Sequence, residues 1–135
     1  IDIDRYEVEP YVYAEYVTSP DHPTFGQASH SWLTGSSAWM LRDGIDYILG
    51  VRPEYEGLRI DPCIPAAWRS YKVTRRFRGV TFHIRVDNPQ GVNKGVRRIS
   101  LNGQPYEGTL IRIEEARLAG MLRQKSELDV VVEMG

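Results

Sequence analysis

Val80-Thr81-Phe82-His83-Ile84-Arg85-Val86-Asp87 alternates apolar and polar residues without a break. Successive side chains of a strand point to opposite faces, so Val80, Phe82, Ile84 and Val86 share one face and Thr81, His83, Arg85 and Asp87 the other. That pattern predicts a strand with one buried side. Just before it, Tyr71, Val73 and Phe77 predict a partner strand that turns across Arg78-Gly79, giving an antiparallel pair. Asn88-Pro89 ends the pair and opens a loop over residues 90–95.

Further along, Ile99-Ser100-Leu101 runs into Asn102-Gly103, the strongest short hairpin signal in the chain. Residues 109–113 are the expected returning strand, and residues 128–133 the expected last strand. Between them, residues 114–125 are ambiguous, with Ala116, Leu118, Ala119, Met121 and Leu122 compatible with a short helix. Several short strands separated by turns predict an antiparallel sandwich.

Toward the N-terminus the period changes. Ala38, Leu41, Ile45, Ile48 and Leu49 recur at helical spacing, and Gly50 stands where a left-handed C-terminal cap is expected. One buried helix over residues 31–49 is predicted, preceded by a Tyr-rich segment at 6–16 and a loop with Pro20, Pro23 and Gly26. The switch in period places a domain boundary near Arg52-Pro53. The expected fold class is therefore α+β, with residues 1–52 as one part and 53–135 as a β-sandwich domain.

The chain has 135 residues, 41% hydrophobic and 26% charged, as ordinary soluble globular proteins do. A formal net charge of −1 gives no electrostatic case for nucleic acid or an anionic membrane as partner. Basic residues nevertheless crowd the middle third, from Lys72, Arg75, Arg76 and Arg78 to Arg97 and Arg98; a solvated sheet face is expected. Cys63 is the single cysteine, so an internal disulfide and a thiolate metal cluster are ruled out. Lying between Pro62 and Ile64, it is read as a packing residue. A reduced, cytoplasmic setting is expected, in agreement with the lack of a signal-peptide pattern or a bilayer-length apolar run. The start at Ile1 without Met suggests a truncated or processed product.

The tract Ser31-Trp32-Leu33-Thr34-Gly35-Ser36-Ser37-Ala38-Trp39-Met40 puts a hydroxyl and a glycine at the start of the helix. Helix starts carry backbone N–H groups without intrahelical acceptors and the positive end of the macrodipole, which suits an anion. Upstream stand Glu9-Pro10-Tyr11-Val12-Tyr13-Ala14-Glu15-Tyr16 and Pro20-Asp21-His22-Pro23. Downstream come Tyr55-Glu56-Gly57-Leu58-Arg59-Ile60-Asp61-Pro62-Cys63-Ile64-Pro65, Trp68 and Lys72-Val73-Thr74-Arg75-Arg76-Phe77-Arg78-Gly79. In this order, from about Glu9 to about Gly108, the chain resembles the C-terminal end of the cellobiose and cellodextrin phosphorylase family, inverting glycoside phosphorylases that include chitobiose phosphorylase.

The resemblance implies that residues 1–52 are the end of a catalytic (α/α)6 barrel and that 53–135 form a jelly-roll-like sandwich. It implies phosphorolysis of a β-glucoside such as cellobiose to α-glucose 1-phosphate and a free sugar, with inorganic phosphate as co-substrate and no cofactor or metal. Thr34 and Gly35 are the phosphate-binding residues it carries over. The family commonly has Gln where this chain has Glu15, which is placed as a substrate or phosphate neighbour. An ionised carboxylate there would repel phosphate, so Glu15 is expected to be protonated, turned toward an arginine, or used for a sugar hydroxyl. The family's general acid, phosphate-binding arginines and phosphate-binding His lie upstream in the barrel, so no catalytic residue is expected in this chain, which alone should be inactive. Its expected partners are the missing barrel portion and, in the parent enzyme, a second copy forming a homodimer.

Other polar residues read as structural. Asp21 and His22 lie in a proline-flanked loop away from the family's catalytic positions; His30 and His83 look like a loop residue and an outward strand residue. Trp39 and Trp68 are expected in the core, with Trp32 more open. A freestanding carbohydrate-binding sandwich and a purely structural module that braces the barrel are the alternative readings.

Overall fold

The computed structural model describes residues 2–9, 12–32, 35–120 and 126–135. They fall into two compact units, Ile1–Asp43 and Gly44–Gly135. The first unit holds a one-turn helix α1 (Ile3–Tyr6), a two-stranded antiparallel hairpin of β1 (Tyr16–Val17) and β2 (Ala28–Ser29), and helix α2 (Ser36–Asp43). Its buried apolar side chains, among the described residues, are Val12 and Ala28.

The second unit opens with a π-helical turn (Gly44–Ile48) and continues through β3 (Val51–Pro53), β4 (Leu58–Ile60), β5 (Ser70–Phe77), β6 (Val80–Asp87), β7 (Val96–Leu101), β8 (Gln104–Tyr106), β9 (Leu110–Ile111), α3 (Ile113–Leu118) and β10 (Glu127–Met134). The described strands form a five-stranded sheet in the order β5-β6-β10-β7-β8 and a three-stranded sheet β3-β4-β9. One buried cluster joins them: Phe82, Ile84, Leu128, Val130, Ile99 and Leu101 from the larger sheet meet Val51, Leu58, Ile60 and Ile111 from the smaller. The fold is mixed α and β, dominated by sheets over that core.

The alternation in β6 holds, with Val80, Phe82, Ile84 and Val86 all at most 1% exposed. β5 pairs with it antiparallel over eight residues, Ser70 to Phe77 against Asp87 to Val80, through a two-residue turn in which Arg78 and Gly79 both have positive φ. The sheet is not wholly antiparallel, however. β10 pairs antiparallel with β7 but parallel with β6. It slots between two strands that run in opposite directions, so one of its edges has to be parallel.

Asn102-Gly103 does make the tight hairpin, with φ of 48° and 83°. A two-residue loop dictates register, so the returning strand is Gln104–Tyr106 and not residues 109–113. Leu110–Ile111 crosses instead to the smaller sheet beside β4, and Ile113 opens α3. The tail of the ambiguous stretch, 121–125, lies outside the described residues.

The expected helix over 31–49 is shorter and more exposed than its pattern implied. α2 covers Ser36–Asp43 and buries none of its residues. Helical bonding then loosens at Gly44, whose carbonyl accepts the Leu49 N–H at 2.8 Å, five residues on. Asp46, a polar residue, is the buried one of that turn because its carboxylate accepts from Arg75 Nη1 at 2.8 Å. Arg75, expected on the solvated face, also donates to the Val51 carbonyl. Gly50 has the left-handed φ of 67° expected of a cap. A Cβ there would lie 2.2 Å from the Asp61 carbonyl carbon, so space as well as φ demands glycine.

Three packing expectations are corrected. Trp39 and Trp68 are exposed, Trp68 meeting Tyr71 edge-on at 6.3 Å. Cys63 is exposed too, since the chain there turns Ile64 inward and Cys63 outward. Among the described residues no helix is long and apolar enough to cross a membrane.

Candidate phosphate site

The segment that carries the Thr34-Gly35 tract is held by the hairpin before it. Glu15 N–H donates to the Ser29 carbonyl at 3.1 Å and Thr18 N–H to the Gln27 carbonyl at 2.9 Å, fixing the two strands side by side. The connecting loop is closed by its own polar groups. Thr18 Oγ1 donates to the Thr24 carbonyl at 2.5 Å, and Thr24 N–H donates to His22 Nδ1 at 3.2 Å. His22 is thereby a turn residue beside exposed Asp21, as its loop composition suggested.

Beyond β2 the chain kinks. His30 and Trp32 both have positive φ, 57° and 67°, which costs energy for non-glycine residues. Two carboxylates lie beside this kink. Glu15 lies 3.7 Å from His30 Nδ1, and the Tyr16 ring sits 5.7 Å from the imidazole. Glu9 accepts from Trp32 Nε1 at 3.4 Å. Its pKa is lowered, first by its own backbone N–H, then by the Ser31 hydroxyl, with Trp32 adding to them against the opposing effect of burial. Glu9 stood in the quoted sequence without a role. Its partner is 23 residues away, a separation with no periodic signature.

Thr34 lies outside the described residues. Gly35 is the residue before α2, and its carbonyl accepts the Trp39 N–H at 3.0 Å, which makes it the N-cap. Its φ is not in the left-handed region, and a Cβ would sit 3.6 Å from Trp39 Cδ1, an ordinary contact. Neither strain nor crowding among the described residues calls for glycine at this position. Glu15 and His30 come together, then, and Gly35 opens the helix as expected; Glu15 is turned toward a histidine and not an arginine.

Residues 2–50 match the glycosyl hydrolase 94 superfamily, catalytic domain, and residues 51–107 match the glycosyl hydrolase family 65, C-terminal domain. Among curated relatives, an N,N′-diacetylchitobiose phosphorylase of Vibrio proteolyticus is 46% identical over 80% of this chain and 14% of its own length. A 3-O-beta-D-glucopyranosyl-beta-D-glucuronide phosphorylase of Paenibacillus borealis is 37% identical over 82% of the chain and 14% of its own length. A cellobionic acid phosphorylase of Neurospora crassa is 44% identical over 45% of the chain and 8% of its own length. The chain thus spans about one seventh of the length of the first of these relatives.

Proposed function

Because this chain belongs to the disaccharide phosphorylases of the glycosyl hydrolase 94 superfamily, as a C-terminal segment, we propose that it supplies part of the phosphate site of an enzyme that cleaves a β-linked disaccharide by inverting phosphorolysis. A phosphate oxygen attacks the anomeric carbon, the glycosidic C–O bond breaks, and the departing oxygen takes a proton from an acid outside this chain. The products are an α-sugar 1-phosphate and a free sugar. Phosphate is already a nucleophile, so the protein's work is to hold it in line and offset its charge.

The observation that carries this reading is the match of residues 2–50 to the superfamily's catalytic domain, with Gly35 at the start of a helix. In the proposed site the Thr34 hydroxyl donates one hydrogen bond and the Gly35 backbone N–H a second at close range. Glu15 would repel the anion if it stood alone. His30 Nδ1, 3.7 Å away, gives the carboxylate a neighbour other than the anion, and its second oxygen can accept from a sugar hydroxyl.

Two substrates are worth comparing: N,N′-diacetylchitobiose, for which the relative 46% identical is named, and cellobiose, which the sequence resemblance implies. In the full-length enzyme, Thr34→Val is expected to raise the KM for phosphate by roughly 5- to 150-fold, the loss of roughly 1–3 kcal/mol from a hydrogen bond to a charged group. The KM for the disaccharide should stay put. Kinetics with each substrate varied separately decide it, and an unchanged phosphate response would remove Thr34 from the phosphate site. The 135-residue chain alone is expected to release no sugar 1-phosphate from either disaccharide. The parent is proposed to be cytoplasmic, on the strength of its lone cysteine in this segment, and homodimeric.

A further inference from the structure

Several arginines of the basic middle third sit in ion pairs. Arg75 meets Asp46, Arg85 meets Asp87, and Arg97 and Arg98 share Glu133. Arg76 and Arg78, at the tip of the β5–β6 hairpin, make no ion pair among the described residues. Both line one hollow of about 430 Å3 together with Phe77, Gly79 and Thr81. Two like charges sharing one hollow repel each other, and an anion between them removes that cost.

Aromatic rings set the geometry. The Arg78 guanidinium lies 5.1 Å from the Phe77 ring centre and 5.7 Å from that of Tyr55. Tyr55 is 90% exposed, yet the turn that presents it is braced on both sides. Glu54 N–H donates to the Gly57 carbonyl at 2.8 Å, the Glu54 carboxylate is gripped by Arg52 and Arg59, and Glu56 accepts from Arg112 at 3.3 Å. An exposed aromatic ring held this firmly loses little freedom when it binds.

We propose that the β5–β6 hairpin tip, with Tyr55 beside it, is a binding site for a phosphorylated sugar, Arg76 and Arg78 taking the phosphate and Tyr55 packing against the sugar ring. Guanidinium groups suit phosphate because their N–H groups match its oxygens. The hollow has the volume of a small-ligand pocket. Choosing a sugar phosphate over other phosphate esters rests on the phosphorolysis reading above; the anion site itself does not.

The test is calorimetric titration of the whole chain with glucose 1-phosphate, inorganic phosphate and glucose. Glucose 1-phosphate should bind most tightly. Arg76→Gln and Arg78→Gln should each weaken it by at least about tenfold, and Tyr55→Ala should bring its affinity down to that of inorganic phosphate. Arg85→Gln, at an arginine of the same sheet already paired with Asp87, should change nothing, which separates a defined site from general positive charge. Thermal melts of each variant check that the fold persists, since all three side chains lie at the surface. Equal binding of inorganic phosphate and glucose 1-phosphate would overturn the sugar contact. Glucose 1-phosphate binding that survives both arginine substitutions, or is lost equally with Arg85→Gln, would overturn the site.

Discussion

Residues 44–135 and residues 1–43 are both rich in apolar side chains, but the former gather many of them into one buried core and the latter, among the described residues, bury Val12 and Ala28. In the second unit each apolar residue of β6 faces the shared core. In the first, Ile3, Val17, Trp32, Trp39 and Leu41 are all more than half exposed. A sheet pair can close over its own side chains. A short hairpin with a two-turn helix cannot, so the first unit has the surface of a piece whose covering lies elsewhere, in keeping with its match to part of a longer catalytic domain.

The sharpest way to break this contrast is a pair of truncations. Phe82→Ala removes a ring with 0% exposure and should destabilise the second unit by about 3–5 kcal/mol in urea unfolding. Trp39→Ala removes a larger ring that is 64% exposed and should cost the isolated chain no more than about 0.5 kcal/mol. Comparable losses would mean that the first unit has a core of its own.

Asp46 sharpens the boundary between the two behaviours. It is the buried residue of the π-helical turn, and Asp46→Ala leaves Arg75 without its carboxylate. Removing one partner of a buried pair typically costs about 3–5 kcal/mol; because Arg75 is 24% exposed, about 2 kcal/mol is expected. A double-mutant cycle with Arg75→Met isolates the pair, and a coupling near zero would show that the turn is held by its backbone alone.

Exposed apolar surface predicts association. Light scattering should show the whole chain self-associating as concentration rises, and residues 44–135 alone staying monomeric. A monomeric whole chain would remove the argument for a missing cover.

The smallest effect is expected from Glu54, whose carboxyl Arg59, and then Arg52, hold down to about 2 against the opposing effect of burial. A depressed carboxylate stabilises the fold above its unfolded value of 4.5, and that contribution fades as the pH falls toward 2. Glu54→Gln should therefore flatten the acid limb of the stability profile between those limits. An unchanged profile would show that the Arg52–Glu54–Arg59 cluster is too solvated to matter.

The strand at 80–87, its turn at Arg78-Gly79, the hairpin at Asn102-Gly103 and the cap at Gly50 were legible because each depends on neighbours within a few residues, through side-chain alternation or positive φ. Gly35 and Glu15 were legible as a motif. The rest depends on surfaces far apart in the chain. The insertion of β10 between β6 and β7, the crossing of Leu110–Ile111 to the other sheet and the inward turn of Asp46 each follow from a partner that no local pattern names. The apolar spacing of residues 38–49 illustrates the division best. Sequence alone determined that this segment has a face to bury, because hydrophobic periodicity records what a helix needs; only the tertiary structure decided that α2 buries none of its residues while Ile45 and Leu49 farther on are half-buried, because burial belongs to the pair of surfaces and not to either one.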